Sequence, residues 1–259
     1  MTAMSEIGKD PAAGFARIAY IDADRQAREY TTGIMRAAGL TVSIDTAGNI
    51  YGRRPGSQSS LTPIAIGSHI DSVPQGGNYD GVVGSMSAIE VAQTLADAHL
   101  STRHPLEVII FQNEEGGLQG SRAISGELHE EELTQATRSG KSLRDGTAYI
   151  GGNPDKIAEA RRKPGDIFGF LELHIQQSGS LADDKIDIGV VEGIVGNRRW
   201  DIIIEGFANH AGTTPMNHRQ DALLAVAKFI EAVNHVATNT PGRQVATVGR
   251  IEALPAPTT

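Results

Sequence analysis

The chain has 259 residues, with 23 basic against 31 acidic side chains for a formal charge of −8, and 39% hydrophobic and 21% charged residues. This is the composition of an ordinary soluble protein of one large or two modest domains, and its sign argues against nucleic acid or an anionic membrane surface as partner. There is no cysteine, which removes disulfides, thiol catalysis and thiolate metal sites together, so any metal must be held by His, Asp and Glu.

No run approaches 18 apolar residues, so no transmembrane helix is expected. The start, MTAMSEIGKDPAAG, lacks the basic and then apolar character of a signal peptide, and a cytoplasmic address is the default expectation.

In chain order, DADRQAREYTTGIMRAAGL (22–40) predicts a helix. Asp22 serves as N-cap, Ala23, Ala27, Tyr30, Ile34 and Ala38 follow helical spacing, and Gly39 is the stop. LTVSIDTAGNIYGRR predicts a hairpin bending at Ala47, Gly48 and Asn49. TPIAIGSH reads as a strand, VVGSMSAIEVAQTLADAHL as a helix and PLEVIIFQNEE as a strand, which together make a βαβ unit in a covered sheet. Residues 126–165 are polar with helical stretches, and GDIFGFLELHI adds a further strand. After Gly196 the pattern changes. RRWDIIIEGF predicts a strand, RQDALLAVAKFIEAVNHV an amphipathic helix and RQVATVGRIEA a strand, while LPAPTT reads as a linker or a cut.

The expected architecture is therefore α/β: a mostly parallel sheet flanked by helices over residues 1–196, then the start of a smaller α/β domain over 197–259.

In open α/β sheets, ligands bind beyond the carboxyl ends of the strands. Here three strands end in GSHID, FQNEEGG and LELHI, which would bring His69, Glu114, Glu115 and His174 to one edge. Asp80 follows His69 by 11 residues in a glycine-rich loop that can fold it back onto the same spot. Histidine and carboxylate without thiolate suit zinc, manganese, cobalt or nickel. Of the adjacent Glu114 and Glu115, one can bind metal while the other moves a proton. Asp71 is placed to accept the other N–H of the His69 ring. Taken singly, each feature has an ordinary explanation, such as a core histidine or a solvated acidic turn. His99, His104, His129, His218 and His235 read as surface residues, HEEEL (129–133) as an exposed helix face, and Trp200 as packing.

GSHIDSVPQGGNYDGVVG, FQNEEGGLQGSRAISG, LELHIQQ and GFANHAGTTPMNHRQDA resemble, in order and spacing, the motifs of the N-carbamoyl-L-amino acid hydrolase and allantoate amidohydrolase family. That family is a branch of the dinuclear zinc-peptidase-like amidohydrolases. The resemblance runs from about Pro11 to the end. It implies a zinc-exopeptidase-like catalytic domain, here without its C-terminal part, and the first part of a lid or dimerisation domain.

The activity implied is hydrolysis of linear C–N bonds in a small ureido substrate. Ammonia leaves, with carbon dioxide as well when the substrate is a carbamoyl compound. The resemblance further implies two divalent metals, zinc foremost, with His69, Asp80 and His174 on one and Asp80 and Glu115 on the other. Glu114 would be the general base. Gln177 and His210 would hold the substrate, with His210 stabilising the oxyanion across a homodimer.

The family is longer, and its remaining part would supply a further histidine to the second metal, so one well-held metal is expected in this chain. Thr259 stands near the place of a substrate-holding asparagine. The usual HIEQGP is HIQQSG here, with Gln176 in place of an acid. Two alternative readings are a non-catalytic or weakly active fragment or paralogue binding one metal, and a peptidase or deacylase of the same superfamily.

Overall fold

The structure, a computed structural model, describes residues 1–10 and 14–254. Thr259 and most of LPAPTT lie outside the described residues. Two compact units divide the chain, Met1–Gly189 and Val190–Thr259. In the first unit the elements are α1 (Thr2–Glu6), the short strands β1 (Lys9–Asp10) and β2 (Gly14–Phe15), α2 (Asp22–Ala37), β3 (Thr41–Ile44), β4 (Ile50–Arg54) and β5 (Ile64–His69). They are followed by α3 (Val82–Asp97), β6 (Leu106–Phe111), α4 (Gln119–Ser125), α5 (Leu143–Tyr149), β7 (Gly169–Leu171) and α6 (Ser180–Asp183).

The predicted elements between residues 22 and 111 form where expected. α2 begins one residue earlier than expected: Ile21, not Asp22, is the N-cap, and Asp22 and Asp24 fill the first turn, where their charge suits the helix dipole. The helix ends in a Schellman motif, with Gly39 N–H on Arg36 O and Leu40 N–H on Met35 O. In the β3–β4 hairpin the Asp45 carboxylate accepts the N–H groups of Ala47 and Asn49, an Asx arrangement that turns the chain.

The main sheet has the order β3-β4-β6-β5-β7. Its β3–β4 and β4–β6 ladders are antiparallel and its β5–β6 and β5–β7 ladders parallel. The sheet is therefore mixed rather than mostly parallel, because the hairpin pairs β4 directly with β6. The part that matters for the site is the parallel trio, whose carboxyl ends lie at one edge.

β6 is buried on both faces, which explains its unbroken apolar run. Val108 and Ile110 pack with Ala27, Met35, Ile89 and Ala92 of α2 and α3, while Ile109 packs with Tyr51 and Ala65. Residues 126–160 form a separate small core around Tyr20, Leu128, Leu133, Leu143 and Ile157. HEEEL is accordingly more than an exposed face: Leu133 is buried, and Glu132 pairs with Arg122. His104 is also drawn in, bonded to Thr62 O and stacked on Phe168.

In the second unit α7 (Ala222–Asn239) forms as predicted, capped by the Asp221 side chain on Leu224 N–H. The two predicted strands do not form. Among the described residues their stretch shows one isolated bridge, Phe207 with Gln220. A strand exists only through its ladder, and these two segments do not pair with each other. For the same reason Trp200, read as a packing residue, is 74% exposed. Among the described residues no helix is long and apolar enough to cross a membrane.

A buried polar group lies under the strand ends. Gln112 receives a hydrogen bond from Arg28 Nη1 and donates one to Asp24 Oδ2, and all three residues are less than 5% exposed. Burial lowers the pKa of Arg28 and raises that of Asp24, so each depends on its polar neighbours. Gln112→Ala removes a partner of each and is expected to cost about 3 kcal/mol in urea unfolding. A cost below about 1 kcal/mol would contradict this account of the network.

Candidate metal centre

β5 delivers His69 to the sheet edge, and Ser85 Oγ on α3 fixes its main-chain carbonyl at 2.7 Å. The ring is 3% exposed. Its Nδ1 stands 3.0 Å from Asp71 O. A carbonyl only accepts, so Nδ1 carries a hydrogen and Nε2 of the neutral ring offers its lone pair.

His174, three residues beyond β7, is set in the same way, with Nδ1 at 2.8 Å from Ile175 O. The two Nε2 atoms then face Asp80 Oδ1, at 3.9 Å from His69 and 3.1 Å from His174. That oxygen is buried without a hydrogen-bond donor. Three lone-pair donors turned toward one another are repulsive unless a cation or a proton lies among them. The donor set therefore fits a divalent metal of the His and carboxylate type.

The approach of Asp80 depends on Gly81. Its φ is +65°, and a Cβ there would stand 2.4 Å from the His69 ring, so only glycine lets this turn close against the imidazole. The other Asp80 oxygen accepts from Gln177 Nε2 at 2.7 Å.

The loop after β6 brings Glu114 Oε2 to 3.6 Å from His69 Nε2, and His69, Glu114 and Glu115 can converge on one ion as a second group of donors. The loop is held at both levels. At its tip the Asp71 carboxylate accepts the N–H groups of Glu114 and Glu115, at 3.2 and 3.1 Å. At its neck Asn49 Oδ1 takes Gln112 N–H, and Asn49 Nδ2 donates to Gly120 O. Asn113 turns the chain with φ +50°, which asparagine tolerates.

Asp71 is expected to accept the other N–H of the His69 ring, and either its carboxylate or its carbonyl could do so. Its main-chain carbonyl does so, the carboxylate oxygen lying 3.6 Å from Nδ1, because the carboxylate is taken up by the two glutamate N–H groups.

Arg17 supports the same turn and is not announced by the sequence. It is fully buried, its guanidinium donates to Ile70 O, Ile7 O and Met4 O, its main-chain N–H donates to Ser72 Oγ, and its carbonyl accepts Ser72 N–H. Burial brings its pKa down to about 10. The available signal was an isolated arginine in GFARIAY next to apolar residues.

Crowding sets the electrostatics. Burial opposes charge on His69, but the Asp71 hydrogen bond and the Asp71 and Glu114 carboxylates outweigh it and push the ring up to about 9. Burial is also the main cause of the raised pKa values of Glu114 and Glu115, which His69 partly offsets.

Gln176, the departure from the acid expected there, bonds to Ser180 Oγ and to Leu181 N–H and so stabilises the start of α6. His210 belongs to the second unit. There its Nδ1 accepts Gly212 N–H, and Arg219 braces the same loop through the carbonyls of Thr214 and Ala211.

Residues 49–145 match Peptidase family M28, a stretch that holds His69, Asp80, Glu114 and Glu115. N-carbamoyl-L-amino acid amidohydrolase of Geobacillus stearothermophilus is 38% identical over 257 residues, 97% of this chain and 63% of that protein. Allantoate amidohydrolase of Escherichia coli (strain K12) is 32% identical over 258 residues, 97% of this chain and 62% of that protein. The crystal structure of a hydantoinase/carbamoylase family amidase from Burkholderia ambifaria superposes with a TM-score of 0.76 at 31% identity, covering 99% of this chain and 63% of that one. The chain thus spans about three fifths of the length of the relatives it matches.

In the metal-free chain the raised His69 pKa stabilises the fold below its ordinary value of 6.5, and this stabilisation is lost as pH rises toward about 9. A cation must displace that proton, so metal affinity is expected to climb about tenfold per pH unit over the same window. Isothermal titration at several pH values, read together with the proton release in different buffers, checks both the slope and its sign. A flat affinity between pH 6.5 and 9 would contradict it.

Proposed function

We propose, from the premise that this chain is a homologue of the N-carbamoyl-L-amino acid amidohydrolases and allantoate amidohydrolases, that it carries the site of a metal-dependent hydrolase of linear C–N bonds in ureido compounds. The observation that supports this most is the convergence of the His69 and His174 Nε2 atoms on the donor-free Asp80 oxygen. His69, Asp80 and His174 would hold one divalent cation tightly. Zinc is favoured by the two imidazoles, while manganese, cobalt and nickel are compatible. Asp80 and Glu115 would reach a second cation, held more weakly for want of an imidazole of its own among the described residues. When bound, the metal polarises the ureido carbonyl and lowers the pKa of water at the site.

The proton work belongs to Glu114. It takes the proton of the attacking water and returns it to the departing nitrogen, and its raised pKa brings it nearer the working pH. Asp71 keeps the Glu114 carboxyl in reach by fixing its main-chain N–H. The products would be ammonia and, from a carbamoyl group, carbon dioxide. Gln177 and His210 would hold the substrate, His210 from the partner in a homodimer. The match to Peptidase family M28 supports a second reading, in which the same site cuts a peptide or acyl amide.

Three measurements test this. N-carbamoyl-amino acids and allantoate are expected to be turned over in preference to dipeptides and N-acetyl-amino acids; the reverse order favours the second reading. Glu114→Gln should keep its metal and lose about 10²- to 10⁴-fold in rate, whereas Asp80→Ala should lose metal as well. Equal metal content in the two variants would refute this division of roles. About one metal per chain should survive dialysis, and two would overturn the unequal sites.

A further inference from the structure

His174 stands beyond the end of the ladder that should fix it. β7 pairs with β5 only from Gly169 to Leu171, with Leu171 opposite Ile66. No regular element covers residues 172–179. Yet His174 reaches Asp80 on the far side of that gap.

Two contacts span it. The hydroxyl of Ser68, itself 1% exposed, donates to Glu172 Oε1 across 104 residues of sequence. One residue on, Leu173 O lies against Gly84 of α3, where a Cβ would stand 2.3 Å from that oxygen and 2.8 Å from Ser68 Cβ. Ser68 precedes His69 on β5, and Glu172 precedes His174 by two residues. The Ser68–Glu172 bond therefore joins the two imidazole-bearing segments one residue before His69 and two before His174.

We infer that Glu172 is a positioning residue for His174: through the Ser68 hydroxyl it extends the hold of β5 on β7 past the last ladder pair, and so sets the His174 Nε2 atom over Asp80. This rests on the metal-centre reading above. Groups that hydrogen-bond a ligand directly typically change metal affinity by about 10- to 100-fold, and this bond, one step further out, is expected at the lower end. The bond requires an acceptor oxygen on residue 172 and a hydroxyl on residue 68; it does not require a charge.

The test is titration of the 259-residue chain with Co²⁺, read by the visible absorption of the bound ion, whose intensity reports the number of ligands. Glu172→Ala and Ser68→Ala should each weaken Co²⁺ binding about tenfold and change the spectrum. The double variant should be no weaker than Glu172→Ala alone, because both remove one bond. Glu172→Gln keeps the acceptor oxygen and should bind as the parent does. The Glu172 side chain is exposed, so Glu172→Ala should fold and is the decisive variant. Parent-like affinity in Glu172→Ala, additive losses in the double variant, or a Glu172→Gln as weak as Glu172→Ala would each overturn the inference. A parent chain that binds no Co²⁺ would overturn the metal centre itself, which distinguishes the two failures.

Discussion

The site is organised by a contest for protons. Two imidazoles donate their Nδ1 hydrogens to main-chain carbonyls and turn their Nε2 lone pairs on a buried carboxylate oxygen that no donor satisfies. Glutamates crowd in from a neighbouring loop, and burial makes every added negative charge costly. Such a cluster is stable only with positive charge in its midst. A proton on His69 or a divalent cation can provide it. The rest of the first unit can be read as the means of holding these groups against their mutual repulsion.

That support is spread over the whole unit. The parallel trio β5, β6 and β7 sends three chain ends to one edge. Asp71 ties the turn after β5 to the glutamate loop after β6, Asn49 closes that loop at its neck, and Arg17 fixes the turn from below. Most of these contacts run between main-chain groups and buried polar side chains. Such contacts lock position more firmly than apolar packing, and each costs free energy if left unpaired.

Much of this was legible in the sequence. Strand runs such as PIAI and EVIIF, and the helix stop at Gly39, depend on local periodicity and turn chemistry, and they form where predicted. His69, Asp80, Glu114, Glu115 and His174 stand out because metal-capable residues at strand ends are an unusual pattern. The supporting residues are less visible. Arg17, Gln112 and Asn49 act through partners tens of residues away, and no spacing rule reveals such bonds. The division of labour within Asp71, carbonyl to the imidazole and carboxylate to the loop, is set by tertiary geometry alone. The mixed sheet was missed because pairing order is not encoded in the periodicity of any one strand. In the second unit the apolar runs of RRWDIIIEGF and RQVATVGRIEA carry strand propensity, but propensity without a paired neighbour does not make a ladder.

A cation among three particular atoms is the central expectation. Crystals of the chain grown with Zn²⁺, with anomalous diffraction recorded on both sides of the zinc absorption edge, examine this directly. A peak is expected within bonding distance of His69 Nε2, Asp80 Oδ1 and His174 Nε2. A peak bound elsewhere, or none at this cluster while the three side chains hold their places, would contradict it.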